Sequence, residues 1–274
     1  MDGMAEREGE LAGVEVMRAK GPADLVRINE GRINIATQTE LIRRVVDDAR
    51  FHRSGSVFTL NLDHLVKLRE DARFRTAYDA ATYVSADGAP VVKIAQRQGH
   101  AVDRVTGADL VLPLCKAAAS AGVSIHLFGT SDVIRDAAAR QLLADVPGLV
   151  IAGSESPPRG FDPEGEAARA AAERIAASGA GICFIALGAP KQELFAHAAV
   201  ERQTGVMFIC IGAALDFISG HSKRAPAIFQ RTGTEWVWRF LQEPRRLGMR
   251  YARSMAYYLG YLIKGPDKPR DGRG

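Results

Sequence analysis

An α/β fold built on a mostly parallel, Rossmann-like sheet with helices on both faces is what this sequence predicts. Three observations carry the prediction. Short apolar runs with strand character recur along the chain. Ala-rich stretches of helical spacing separate most of them. The alternation persists from about residue 29 to residue 220, long enough for a doubly wound sheet. At 274 residues, 47% hydrophobic and 25% charged, the chain can bury a sizeable core and has the balance of a globular protein.

Residues 1–28 are polar and weakly patterned, and read as a flexible leader. The α/β domain, 29–220, opens with "INIAT", a short strand. "TQTELIRRVVDDARF" follows, where Thr37 and Glu40 have capping-box spacing and Leu41, Val45 and Val46 mark one helical face. Further strands are expected at "SVFTLN", "TYVSAD", "VSIHLFG", "LVIAG", "GICFIALG" and "VMFICIG". Helices are expected over 131–143, 163–178 and 190–203. After residue 221 the strands stop, and arginines and aromatics interleave at helical spacing in a basic appendage, 221–264. The final "GPDKPRDGRG", 265–274, reads as a disordered tail.

Charge is unevenly spread. The chain carries +4 overall, yet from His221 to Gly274 twelve Lys/Arg stand against four Asp/Glu, so the remainder is net acidic. A basic end on an acidic body points to an anionic partner there. Cys115, Cys183 and Cys210 are scattered and odd in number, which argues against a disulfide framework and for a reducing compartment. No signal peptide is expected, and the longest apolar run, 206–215, is too short to span a bilayer.

In open α/β sheets ligands bind beyond the carboxyl ends of the strands. Four such ends are unusually furnished here. "TLNLDH" supplies Thr59 and Asn61, and "SADGAP" supplies Asp87 and Gly88. "LFGTSD" makes a glycine turn at Gly129 into a helix near Ser131. "LGAPKQELF" supplies Gly188 for close backbone approach, Pro190 at a helix start, and Lys191 and Gln192 as a cation and an amide. By spacing alone each could equally be a cap or a turn former. No G-x-G-x-x-G follows a strand, and there is no P-loop, no zinc spacing, no G-x-S-x-G and no D-x-D pair. Nicotinamide binding, metal ligation and a serine nucleophile are therefore not expected, and no cofactor is.

"TLNLDHLVKLREDARFR", "SADGAPVV", "RVTGADLV", "LGAPKQE", "GAALDFISGHSKRAP" and "EWVWRFLQEPRRL" resemble, in order and spacing, the WecG/TagA/CpsF glycosyltransferase family over roughly residues 31–252. The resemblance implies an inverting, metal-independent transfer from a UDP-sugar to a lipid-diphosphate-linked sugar acceptor. It implies a general base at Asp87, where Ala86 replaces the usual Pro. It assigns substrate binding to Thr59, Asn61, Arg104, Gln192 and Asp216, with Gly212-Ala213 in place of the commoner Gly-Gly. It also implies that the basic appendage helps close the site and meet an anionic membrane surface, with Arg239, Arg245, Arg246 and Arg250 as candidates for the diphosphate. The expected location is cytoplasmic, peripheral on the inner face of the plasma membrane. The transferred sugar (N-acetylmannosamine, its uronic acid, glucose or another) and the acceptor sugar stay open. A homo-oligomer is among the assemblies allowed.

A rival reading is a non-catalytic membrane- or nucleic-acid-binding module. It would use Trp236, Trp238, Phe240, Tyr251, Tyr257, Tyr258 and Tyr261 of the appendage to stack on bases. The furnished strand ends would then have no purpose, so a nucleic-acid partner is not expected. An epimerase is disfavoured by the missing dinucleotide fingerprint.

Overall fold

The computed structural model describes residues 17–226, 228–229, 235–242 and 244–265. Six strands form one parallel sheet: β3 (Gly55–Leu60), β4 (Tyr83–Ala86), β5 (Ile125–Gly129), β6 (Ile151–Glu155), β7 (Ile182–Ala186) and β8 (Met207–Cys210), in the order β4-β3-β8-β7-β5-β6. A small antiparallel hairpin, β1 (Val26–Ile28) with β2 (Gly31–Ile33), forms a second sheet that packs into the same core.

The helices that cover the sheet are α1 (Gln38–Arg50), α2 (Leu62–Glu70), α3 (Ala72–Ala80), α4 (Ala89–Arg97), α5 (Gly107–Ser120), α6 (Asp132–Asp145), α7 (Glu166–Ala177), α8 (Lys191–Glu201) and α9 (Ala214–Ile218). The appendage contributes α10 (Glu235–Gln242) and α11 (Pro244–Lys264).

Side-chain alternation along the strands sorts the core into two layers. Phe58, Leu60, Val84, Phe128, Ile185 and Phe208 pack on one face with α2, α3, α4, α7 and α8. Val57, Tyr83, Leu127, Phe184 and Ile209 pack on the other with α1, α5 and α6. Burial on both faces is why the strands read as unbroken apolar runs.

Helix starts follow their sequence signals. Thr37, Asn61, Asp71, Thr106 and Ser131 each accept a backbone N–H from the first turn of the helix that follows. At Thr37 the capping box is realised only in part: Thr37 Oγ1 accepts from Glu40 N at 3.1 Å, while the Glu40 carboxylate pairs with Arg44 at 2.8 Å.

The structure departs from the sequence reading at the N-terminal end. Residues 17–28, expected to be loose, are tied to the body. Ala19 N donates to Ser54 O at 2.7 Å, Ser54 N to Met17 O at 2.8 Å, and Val26 and Ile28 are buried. Three-residue strands among polar neighbours carry too little periodicity to be seen. The expected strand "INIAT" stops at Ile33, because Asn34 turns the chain along the outer edge of β4. The Asn34 side chain accepts from Val84 N at 2.7 Å and donates to Thr82 O at 2.9 Å, taking up edge groups that a further strand would use. Residues 1–16 of the expected leader, and the expected disordered tail beyond Gly265, lie outside the described residues.

The appendage is docked rather than loosely attached. Asn29 Nδ2 donates to Tyr257 Oη at 2.6 Å, Gln98 Nε2 to Tyr261 Oη at 3.1 Å, and Arg250 pairs with Asp63 at 3.2 Å. Arg253 pairs with Glu70. Among the described residues no helix is long and apolar enough to cross a membrane.

Phe195 of α8 sits at the centre of an aromatic cluster. It stacks on Phe128 at 4.6 Å between ring centroids and meets Phe161 and Phe208 edge-on at 5.7 and 6.2 Å. Phe195→Ala should cost about 3–5 kcal/mol of stability, measured as a lower urea midpoint at unchanged m-value.

Candidate active site

A cavity of about 710 Å³ opens beyond the carboxyl ends of β4, β3, β8 and β7, four neighbours in the sheet. That is room for a sugar nucleotide. The segment after α9, with Trp236 of α10 and Arg250 and Tyr251 of α11, forms its other walls.

Asp87 lies where β4 ends. Its N–H donates to Leu60 O at 2.8 Å, and Gly88, at φ +86°, turns the chain into α4. Asn61, at the end of β3, spends its Oδ1 on the N–H of His64 at 3.0 Å, and its side chain also hydrogen-bonds Asp87. Thr59 lies one pleat earlier on β3, nearly buried and lining the cavity. Burial pushes the Asp87 carboxyl up to about 6; the Asn61 bond and the Arg104 charge pull it back, while Glu235 and Asp109 raise it.

Arg104 is held beside β4 by the bond from Val105 N to Ala86 O at 2.8 Å. Its guanidinium belongs to a ring of alternating charges. Arg104 meets Glu235 at 3.5 Å and Asp109 at 4.0 Å, and Arg224 meets Asp109 at 2.6 Å and Glu235 at 3.4 Å. Thr106, the N-cap of α5, donates its Oγ1–H to Asp109 at 2.9 Å and steadies it.

From β7, Gly188 at φ +73° leaves open space where a side chain would stand. Gln192, 4% exposed, borders the cavity; its Oε1 accepts from Gly212 N at 3.0 Å and its Nε2 donates to Glu193 Oε1 at 2.8 Å. From β8, Gly212 adopts φ +56°, whereas Ala213 sits at φ −89°, where a side chain is unstrained. The replacement of the second glycine therefore costs that loop nothing. Asp216 of α9 also lines the cavity.

Thr59, Asn61, Asp87, Arg104, Gly188, Gln192, Asp216 and Arg250 thus gather around one space. Three other candidates do not join them. Gly129 ends β5, one strand too far along the sheet; a Cβ there would stand 2.5 Å from Ala186 O, so its glycine serves close strand packing. Lys191 turns away and donates to Phe161 O at 3.1 Å. Arg245 is exposed and outside the lining. The side chains of Arg239 and Arg246 lie outside the described residues. The helix start at Lys191 offers fewer free donors than expected, because Gln192 N already bonds Gly188 O.

The sequence reading misses Arg224, Glu235, Asp109, His64 and Glu193. Arg224 and Glu235 are visible only as parts of "SKRAP" and "TEWVW", with no local signal that they meet. The aromatics proposed to stack on bases are partly committed elsewhere, since Tyr257, Tyr258 and Tyr261 pack against the core. Among the described residues no three His, Cys, Asp or Glu side chains come together as metal ligands.

A doubly wound sheet whose strand ends gather a raised carboxyl, amides and paired arginines around a nucleotide-sized cavity is the build of a group-transferring enzyme of the α/β class. The chain belongs to the glycosyl transferase WecG/TagA/CpsF family, whose model matches residues 26–270. It is a glycosyltransferase of cell-surface glycan synthesis. The match runs from β1 beyond α11, so the docked appendage is part of the family unit.

The Asp87 environment has a consequence for stability. A carboxyl raised from 3.8 to about 6 binds its proton more tightly folded than unfolded, so its contribution is present at low pH and lost as pH rises through that window. Asp87→Asn should therefore gain in melting temperature relative to the parent between pH 4 and pH 7, with no further change above. A difference independent of pH would show that the carboxyl is not desolvated.

Proposed function

We propose that the protein is an inverting, metal-independent glycosyltransferase. It moves a sugar of the N-acetylmannosamine, uronic acid or glucose type from a UDP-sugar to a sugar on a polyprenyl-diphosphate lipid, in exopolysaccharide or other cell-surface glycan assembly. The observation that carries this reading is Asp87, held by Asn61 at the end of β4 in the field of Arg104, which with Arg224 already shares an anion, the Glu235 carboxylate. The acceptor hydroxyl attacks the anomeric carbon on the face opposite UDP. The new glycosidic bond forms as the bond to the UDP oxygen breaks, and Asp87 takes the hydroxyl proton. Charge growing on the leaving diphosphate is met by Arg104, Arg224 and Arg250, whose planar forks suit phosphate oxygens. A base whose pKa sits near 6 is ionised at neutral pH yet still accepts a proton readily.

Asp87→Asn should lower turnover by roughly 10²–10⁴-fold with little change in donor binding, and the parent's rate should rise with pH through about 6. Near-parental turnover in the variant would remove Asp87 from the role.

A lipid-linked acceptor calls for peripheral association with the inner face of the plasma membrane, and the outward side of α11 supports it. Met249, Ala252, Ala256, Leu259 and Ile263 recur at intervals of three and four residues, all exposed, with the exposed Arg245 on the same side. Each basic group near an anionic surface contributes on the order of 1 kcal/mol. Changing Met249, Leu259 and Ile263 together to Ser in the full chain should cut co-sedimentation with anionic vesicles several-fold, with little effect on stability. Unchanged, salt-sensitive pelleting would place the contact elsewhere.

A further inference from the structure

Glu193, in the strand-end motif "PKQE", has no part in the transfer reaction, and it is the most deeply buried residue of that motif, at 0% exposure. Its Oε1 accepts from Gln192 Nε2 at 2.8 Å, and its Oε2 has no hydrogen-bond partner. Among the described residues no cation touches it. His64 Nε2 of α2 stands 3.9 Å away, and its Nδ1 is engaged with Tyr78 Oη of α3 at 2.6 Å. Burial pushes the imidazole down to about 3, so that ring is neutral. The other titrating groups that act on Glu193 or respond to it are Lys67 and Asp63 on α2, Tyr78 on α3 and Cys210 on β8. Burial pushes the Glu193 carboxyl up to about 7. A buried carboxyl with one oxygen orphaned is costly to keep, and an apolar side chain would pack there at less cost.

What the carboxyl does is fix an amide. Gln192 has one acceptor and two donor hydrogens on its side chain. The acceptor is spent on Gly212 N of the loop after β8, and one hydrogen on Glu193. The chain Glu193–Gln192–Gly212 therefore ties the first turn of α8, which follows β7, to the neighbouring loop across the cavity floor. It leaves the second amide hydrogen of Gln192 for whatever the cavity holds. Turning the amide over would set donor against donor at Gly212 and acceptor against acceptor at Glu193.

We propose that Glu193 is a positioning residue: through the Gln192 amide it holds the Gly212 loop in the substrate-competent arrangement. The further consequence, that this sets donor affinity, rests on the proposed function and on taking Gln192, a substrate-binding candidate, to meet the UDP-sugar rather than the acceptor.

The test compares Q192A, E193M, E193Q and the E193M/Q192A pair in the full chain. Two readouts are needed: hydrogen exchange of the Gly212 amide without substrate, and KM and kcat for a UDP-sugar. Methionine matches glutamate in length and removes both oxygens, so Q192A and E193M should each speed Gly212 exchange and raise donor KM about tenfold, the equilibrium worth of one hydrogen bond. kcat should hardly move. The double variant should be no worse than the more affected single one, because the two side chains act in series. E193Q keeps the accepting oxygen and should stay within about twofold of the parent in both readouts.

Unchanged Gly212 exchange in E193M would overturn the proposal, as would effects that add in the double variant. Should E193M not fold, a tenfold loss in E193Q would overturn it equally, since the acceptor is still there. Faster exchange in Q192A and E193M with donor KM unmoved would uphold the clamp and remove Gln192 from the donor site, so the two readings fail separately.

Discussion

The parallel register of β3 against β4 is the constraint on which this site rests. Pairing Thr59 with Ser85 and Leu60 with Ala86 brings the residues just past each strand, Asn61 and Asp87, side by side. The bond from Asp87 N to Leu60 O extends that pairing one step beyond the sheet. From there both chains turn into helices, and both side chains stay at the cavity floor. A slip of one residue would send Asp87 toward the opposite face of the sheet and leave Asn61 without its partner. Everything else in the cavity is arranged around this fixed pair.

The charges follow from burial. A cavity walled by two helical layers cannot hold a lone ion cheaply, so the described charges near Asp87 alternate in sign: Arg104, Glu235, Arg224 and Asp109 close a ring, and Arg250 answers Asp63. Glu235 has two effects. With Asp109 it keeps Arg104 and Arg224 facing each other, and its field raises the proton affinity of Asp87. Because Glu235 starts α10, the electrostatics of the base depend on where the appendage sits. The carboxylate and a diphosphate would compete for the same two guanidiniums.

Much of this was legible in the sequence, and the reasons are local. Strands showed because both faces of the sheet are covered, so Val57, Phe58 and Leu60, or Phe184 and Ile185, sit in unbroken apolar runs. Asp87, Asn61 and Thr59 showed because a polar residue at a strand end is unusual and its position depends on its own strand alone. Gly129 carried the same signature and yet lies outside, because which strand ends converge is a matter of strand order, and strand order leaves no mark on a single strand. Lys191 was misread for a related reason: the direction of a long side chain depends on what it meets, here the carbonyl of Phe161 thirty residues earlier. The charge ring was invisible since its members lie far apart in the chain and meet only once the appendage has folded back. The hairpin of β1 and β2 was missed because three residues are too few to show a period.

Strand β8 has a place in the sheet that its place in the chain does not suggest. It is the last strand made, and it lies in the middle, between β3 and β7. A growing chain that has emerged as far as β7 holds two separate pieces, β3 with β4 and β5 with β6 and β7, which share no strand. Closing them costs the entropy of a loop that reaches from Gly55 to Met207, repaid only when Met207–Cys210 slides in and pairs on both sides. The cavity lies over that seam, with Asn61 and Asp87 from one piece and Gly188 and Gln192 from the other. The site therefore assembles in one late step, and a nascent chain that stops short of Cys210 carries every strand-end motif but one and no place in which they meet.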